Sequence, residues 1–167
     1  MPSDRALDPF APEPHDHRRC IRSAVEQAVN VCTSRGARLT DLRRQVLELI
    51  WQSHVPVGAY QLLDQLAGTR GRVAPPTVYR ALEFLTREGL VHRLDSLNAY
   101  IGCSSPTLPH QAYFFICRDC GDAAELHDDE LSASLAACAR RARFQVETAT
   151  VELAGVCARC SGKTGTA

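Results

Sequence analysis

Ala74-Pro-Pro-Thr-Val-Tyr-Arg-Ala-Leu-Glu-Phe-Leu-Thr-Arg-Glu-Gly-Leu90 decides the reading of the fold. Proline suits the first turn of a helix and glycine the position just past its end, so Pro75 and Gly89 bracket a single helix. At about 100° per residue, Val78, Ala81, Leu82 and Leu85 share one face. Tyr79, Arg80, Glu83 and Arg87 fall on the other. One face is made for a core, and the other carries side chains that can read nucleic acid. An ordinary amphipathic surface helix has the same pattern, and the chain that follows separates the two. Residues 90–95 and 99–103 read as short strands joined at Ser96-Leu97-Asn98. Helices ending in a small hairpin describe a winged helix, with residues 74–90 as its recognition helix.

Upstream, Ile21, Val25, Ala28, Val29 and Cys32 recur at helical spacing until Gly36. Thr40 can cap a second helix, whose stripe is Leu42, Val46, Leu49 and Ile50, ending at Pro56 and Gly58. A third, with Tyr60, Leu62, Leu63 and Leu66, is expected to break at Gly68 and Gly71. Residues 1–16 hold four of the nine prolines together with several acids and read as a disordered tail. His15, Asp16, His17 and Cys20 are expected to be incidental to that tail.

Downstream, Ser104–Pro109 contains two prolines and two serines, so residues 104–110 read as a hinge. A smaller unit follows over 111–160, and 161–167 form a second tail. Its expected elements are strands at 111–116, 123–126 and 145–156 and a helix at 129–143. Leu131, Leu135 and Cys138 lie on that helix's apolar side. The fold class is therefore α+β, with a winged-helix DNA-binding domain at 17–103 and a small α+β domain after the hinge.

Net charge is zero, so bulk charge points to no partner. Its distribution says more: residues 17–94 carry 12 Arg against six acids, and both flanking segments are acidic. A basic middle between acidic ends fits a chain in which one module meets a polyanion, although ordinary surface variation produces similar patterns. No apolar run approaches the roughly 20 residues of a membrane span, and the Met-Pro-Ser-Asp start has no secretory signal. A cytoplasmic protein is expected. Eight cysteines in a reducing compartment point to metal rather than disulfides.

Cys117-Arg-Asp-Cys120-Gly and Cys157-Ala-Arg-Cys160 are two C-x-x-C pairs. Each can present two thiolates from one tight turn, and two turns supply the tetrahedral, soft shell that suits zinc. Four protein ligands leave no position for an activated water, so this site is structural and contributes to folding. Two unrelated or redox-active pairs are the other reading of the same spacing.

Arg38-Leu-Thr40, Pro75-Pro-Thr-Val-Tyr-Arg-Ala-Leu82, Gly89-Leu-Val-His92 and the two cysteine pairs, in that order over about residues 17–160, resemble the ferric uptake regulators. The resemblance implies a homodimer whose N-terminal winged helices bind palindromic DNA and whose C-terminal domains dimerise. It also implies a regulatory metal at the hinge, held by His92, Cys103, His110 and Glu125. That ligand set is distinctive of the family's zinc-uptake branch. Iron sensors carry His-x-His before the first cysteine pair, whereas Pro109-His110-Gln111-Ala112 has a single histidine. Two imidazoles, a thiolate and a carboxylate also form a borderline-soft shell favourable for zinc.

The resemblance thus implies a zinc-responsive dimeric repressor of zinc-uptake genes, with two zinc ions per subunit, one structural and one regulatory. The partners are double-stranded operator DNA and a second copy of the chain, with no membrane and no small organic substrate. A sensor of iron, manganese, nickel or peroxide in the same family is the alternative. An enzyme is not expected, because the deaminase, G-x-S-x-G and H-E-x-x-H signatures are missing. A zinc-ribbon adaptor that binds only proteins would have no use for the arginine-bearing helix and wing. Arg80 is the expected base reader, since arginine can bond two acceptors on guanine. Tyr60, to which the resemblance points, Thr77 and Tyr79 are further candidates. Arg38, Arg43 and Arg44 would meet phosphates, or simply form a solvated helix face. Cys32 and Cys138 are expected in the core, His54 in a loop, and His127 on a polar surface beside Asp128 and Asp129.

Overall fold

The computed structural model describes residues 9–10, 16–71, 73–107, 111–147 and 149–162. The chain divides into two compact units, one of residues 12–108 and one of 109–167 together with 1–11. Among the described residues no helix is long and apolar enough to cross a membrane.

The first unit runs α1 (His17–Ser34), α2 (Asp41–Ile50), β1 (Val57–Gly58), α3 (Ala59–Arg70), α4 (Pro75–Arg87), β2 (Val91–Leu94) and β3 (Ala99–Gly102). Its sheet has the order β1-β3-β2, antiparallel throughout, with His92 opposite Ile101 and Val91 opposite Gly102. The termini of α4 follow from local chemistry. Pro75 opens the helix at a position that needs no N–H donor. At the other end Gly89 turns left-handed at φ 68°, which lets the Gly89 and Leu90 N–H groups cap the Thr86 and Leu85 carbonyls at 2.9 Å. Val78, Leu82 and Leu85 then point into a core shared with Val46, Leu47, Leu62 and Leu66, all at most 1% exposed. Each such side chain contributes about 1.5–3 kcal/mol through burial. A wing hairpin packed on α4 completes a winged helix, as the sequence predicts.

The second unit runs β4 (Ala112–Cys117), β5 (Ala123–Leu126), α5 (Asp129–Arg141), β6 (Thr150–Gly155) and α6 (Ala158–Ser161). The sheet order is β5-β4-β6, with β4 antiparallel to β5 and parallel to β6. The parallel pair requires a crossover, and α5 supplies it. Asp128 caps α5 by accepting the Leu131 N–H at 2.8 Å.

Several expectations change. Asp16 belongs to α1 rather than to a tail: its carboxylate accepts the Arg18 N–H at 3.0 Å and so caps the helix. Phe10 lines a small pocket with Phe115, Leu153 and Val156. The rest of the expected tails, 1–8, 11–15 and 163–167, lies outside the described residues. Gly68 does not break α3, which continues to Gly71 at φ 76°; a glycine inside a helix costs only about 1 kcal/mol, which the buried Leu62 and Leu66 offset. Val29 is exposed, at the rim of its stripe. Helix α5 stops at Arg141, because Arg143 takes a left-handed conformation and the Phe144 N–H caps the Ala139 carbonyl at 2.9 Å. The last strand therefore starts at Thr150, later than expected. Cys138 is exposed rather than core, since no residue of α5 is buried.

Candidate metal centre and nucleic-acid face

Register brings the two cysteine pairs together. Cys117 ends β4 opposite Gly155 of β6, and the chain continues two residues to Cys157, the N-cap of α6. The first turn is closed by Gly121, at φ 78°, whose N–H reaches the Cys117 carbonyl at 3.0 Å. The second is closed by the Cys160 N–H on the Cys157 carbonyl, also at 3.0 Å. The Arg118 N–H bonds the Gly155 carbonyl at 2.8 Å, and Arg159 of the second turn pairs with Asp122 beside the first.

The four sulfurs of Cys117, Cys120, Cys157 and Cys160 lie within 4.8 Å of one another. Zinc–sulfur bonds of about 2.3 Å in a tetrahedron give edges of about 3.8 Å. Cys120 Sγ and Cys157 Sγ are 3.9 Å apart, so the donors fit such an ion. The electrostatics agree. The Cys117 thiol is held down at about 6, first by the Cys120 backbone N–H and then by that of Cys157, at 3.3 Å. The Cys160 thiol is pushed up to about 12, first by its hydrogen bond with Cys157 and then by burial. A thiolate must form to bind metal, and a divalent cation offsets the repulsion among neighbouring thiolates that otherwise favours a proton on Cys160.

In the first unit, the ligand atoms of His92 on β2 and Cys103 just past β3 are within 4.8 Å of each other. The Cys103 N–H donates to the Leu90 carbonyl at 3.0 Å, which extends the β2–β3 ladder to the cysteine, and its side chain is buried. In the second unit, Glu125 lies on β5 with its side chain 3% exposed, and its Oε1 is 3.9 Å from His127 Nε2. His110 lies outside the described residues.

The expected nucleic-acid face is mostly presented outward. Thr77, Tyr79 and Arg80 are exposed on α4, and Tyr60 is 72% exposed in the first turn of α3. Arg38 is exposed before α2, and Arg44 pairs with Glu48 one turn on, at 2.9 Å. Arg43 is held differently. Its guanidinium lies 3.6 Å from the centre of the Phe84 ring and donates to the Arg38 carbonyl at 2.5 Å. One anchor had no local signal in the sequence. Glu88 is 8% exposed, and the Arg35 guanidinium bonds its carbonyl at 2.8 Å and faces its carboxylate at 3.6 Å, tying α1 to the end of α4.

A winged helix followed by a small α+β unit with a four-cysteine cluster defines a metal-binding, DNA-binding class of protein. The sequence profile of the ferric uptake regulator family matches residues 34–154, and the chain belongs to that family. It is 36% identical over 139 residues to the zinc uptake regulation protein of Escherichia coli K12, covering 81% of this chain and 80% of that one. The structure of a zinc uptake regulator complexed with zinc and DNA is similar at TM-score 0.83 and 33% identity, covering 87% of this chain and 98% of that one. The holo form of XcZur is similar at TM-score 0.77 and 42% identity, over 84% of this chain and 98% of that one.

Proposed function

We propose that this protein is a zinc-responsive dimeric repressor, which binds operator DNA when zinc-loaded and releases zinc-uptake genes when zinc is scarce. The observation that carries the reading is the placement of His92 and Cys103, an imidazole and a thiolate, side by side on the wing of a DNA-binding unit. A ligand pair built into the wing lets metal occupancy bear on DNA affinity, and linkage then makes the effect reciprocal. Two zinc ions per subunit are proposed. Cys117, Cys120, Cys157 and Cys160 hold the structural one. His92 and Cys103, with His110 and Glu125 of the second unit, hold the regulatory one. Zinc supplies a tetrahedral, redox-inert centre that accepts nitrogen, sulfur and oxygen donors together. With four protein ligands at each site, no position remains for a reacting water, in keeping with a regulator rather than an enzyme.

Arg80 is the proposed base reader, with Thr77, Tyr79 and Tyr60 beside it and Arg38 and Arg44 on phosphates. Arg43 is the third proposed phosphate contact, its guanidinium held by stacking on Phe84. Homodimer formation through the second unit is favoured by the apolar surface it exposes. Phe144 is 68% exposed, Leu153 45%, and Val146 and Val156 42% each, and among the described residues β6 stands at the edge of its sheet.

The test is DNA binding titrated against buffered free zinc, with iron(II) and manganese(II) as comparators. Zinc is expected to raise affinity at the lowest free-metal concentration. Cys103→Ser should retain one zinc per subunit and lose the response. A protein that binds its DNA equally with and without the second ion refutes the reading.

A further inference from the structure

Trp51, the chain's single tryptophan, is the residue at which α2 ends, and it packs against the wing. A Cβ built on Gly102 would lie 2.1 Å from Trp51 Cε2, 2.3 Å from Nε1 and 2.5 Å from Cζ2. Non-bonded carbons settle at about 3.5–4.0 Å, so no side chain can begin at position 102 while the indole stays. Gly102 is not among the residues of positive φ, so the requirement is steric and not conformational. The indole therefore presses directly on backbone, and an indole is rigid and gives way little.

The peptide under it is one bond from a proposed ligand. Gly102 ends β3 opposite Val91, and Cys103 follows at once, its N–H bonded to Leu90. Behind Trp51, α2 packs on both β3 and α4, the helix that carries Arg80. A zinc–thiolate bond of about 2.3 Å tolerates little misplacement, with functional constellations held to about 0.5 Å. Making room for a methyl at position 102 takes a relief on the order of 1 Å, more than that tolerance.

We propose that Trp51 is a positioning residue for the zinc response: its indole, seated in the space left by Gly102, sets the backbone that aims the Cys103 sulfur. This rests on the reading of Cys103 as a regulatory ligand. It adds that α2 and the wing strand are locked together by an indole–glycine contact between residues 51 and 102. It further implies that Trp51 emission reports occupancy of that site.

The experiment uses the full chain as Gly102→Ala, Trp51→Leu and the double variant. Leucine keeps the inner apolar volume and removes the three indole atoms nearest position 102. The readouts are zinc content, affinity for the second ion by chelator competition, the cobalt(II)–thiolate absorption band and thermal unfolding. Gly102→Ala should keep its first zinc and lose about 10–100-fold in affinity for the second, with a weakened cobalt band. Trp51→Leu/Gly102→Ala should recover to within about threefold of the parent, a recovery that a merely damaged fold would not show. Normal binding by Gly102→Ala, or no recovery in the double variant, overturns the proposal. Should Gly102→Ala fail to fold, the unmodified protein decides. Its tryptophan emission must change as the second ion binds, and Cys103→Ser must abolish that change. An unchanged emission with the ion demonstrably bound overturns the proposal while leaving the ligand reading intact. A Cys103→Ser protein that still binds both ions overturns the ligand reading itself, and the proposal with it.

Discussion

Replacing Arg80 with alanine separates sequence reading from folding and from metal binding. Arg80 stands on the exposed face of α4, and among the described residues no hydrogen bond or ion pair holds it. Truncating such a side chain changes stability by no more than about 0.5 kcal/mol. An arginine bonded to both guanine acceptors contributes about 1–3 kcal/mol of discrimination. The proposed two-fold dimer would present it twice, so the expected loss is about 2–6 kcal/mol per dimer, or about 30-fold to 10⁴-fold in operator affinity. The assay is fluorescence anisotropy at fixed salt and buffered zinc, on a duplex selected from a random pool and on a scrambled duplex of equal length. Affinity for the selected duplex should fall steeply and that for the scrambled one little. Equal losses on both would move Arg80 to the phosphates, and a fall in zinc content would remove it from the DNA face. Either result refutes the reasoning.

Arg43→Ala should behave differently, losing about 1 kcal/mol of stability because its guanidinium covers Phe84; an unchanged unfolding midpoint counts against the stacking. Cys157→Ser leaves three thiolates, so it should release the structural zinc and open the second unit, a loss of several kcal/mol, with the winged helix intact. Metal analysis and limited proteolysis check this, and retention of the ion with a protected second unit would exclude the four-thiolate site. Glu88→Ala removes the carboxylate that Arg35 and Arg87 face but keeps the carbonyl that Arg35 bonds, and Arg35 and Arg87 are 47% and 70% exposed, so solvent screens the pairs. The expected cost is about 1 kcal/mol, seen as a midpoint about 4–8 °C lower for the first unit.

The recognition helix and wing were legible because their signals are local. Pro75 and Gly89 mark the two ends of α4, and the apolar stripe lies between them. The cysteine pairs were legible because tight turns and metal geometry restrict their spacing. The exposure of Cys138 is not legible, because helical spacing tells which residues share a face and says nothing of whether another element covers it. The two-residue β1 is too short to carry a pattern, and its pairing with Tyr100 and Ala99 is a matter of tertiary register. The late start of β6 reflects the left-handed Arg143, a conformation that an arginine does not advertise. The fit of Trp51 against Gly102 joins residues far apart in the chain, and an isolated glycine in a strand signals only that something comes close.

The parallel pairing of β4 with β6 has a consequence for how the protein is born. Domains emerge from the ribosome and fold from the N-terminal side. The winged helix is therefore complete while its neighbour is still a hairpin waiting for Thr150–Gly155. The sulfurs that close that neighbour are the first and last of its framework, Cys117 on one strand and Cys160 beyond another. A nascent chain released where metal is scarce carries a finished reader of DNA beside an unclosed neighbour. With the two proposed zinc sites, scarcity would act once during synthesis, before it could act again on the mature molecule.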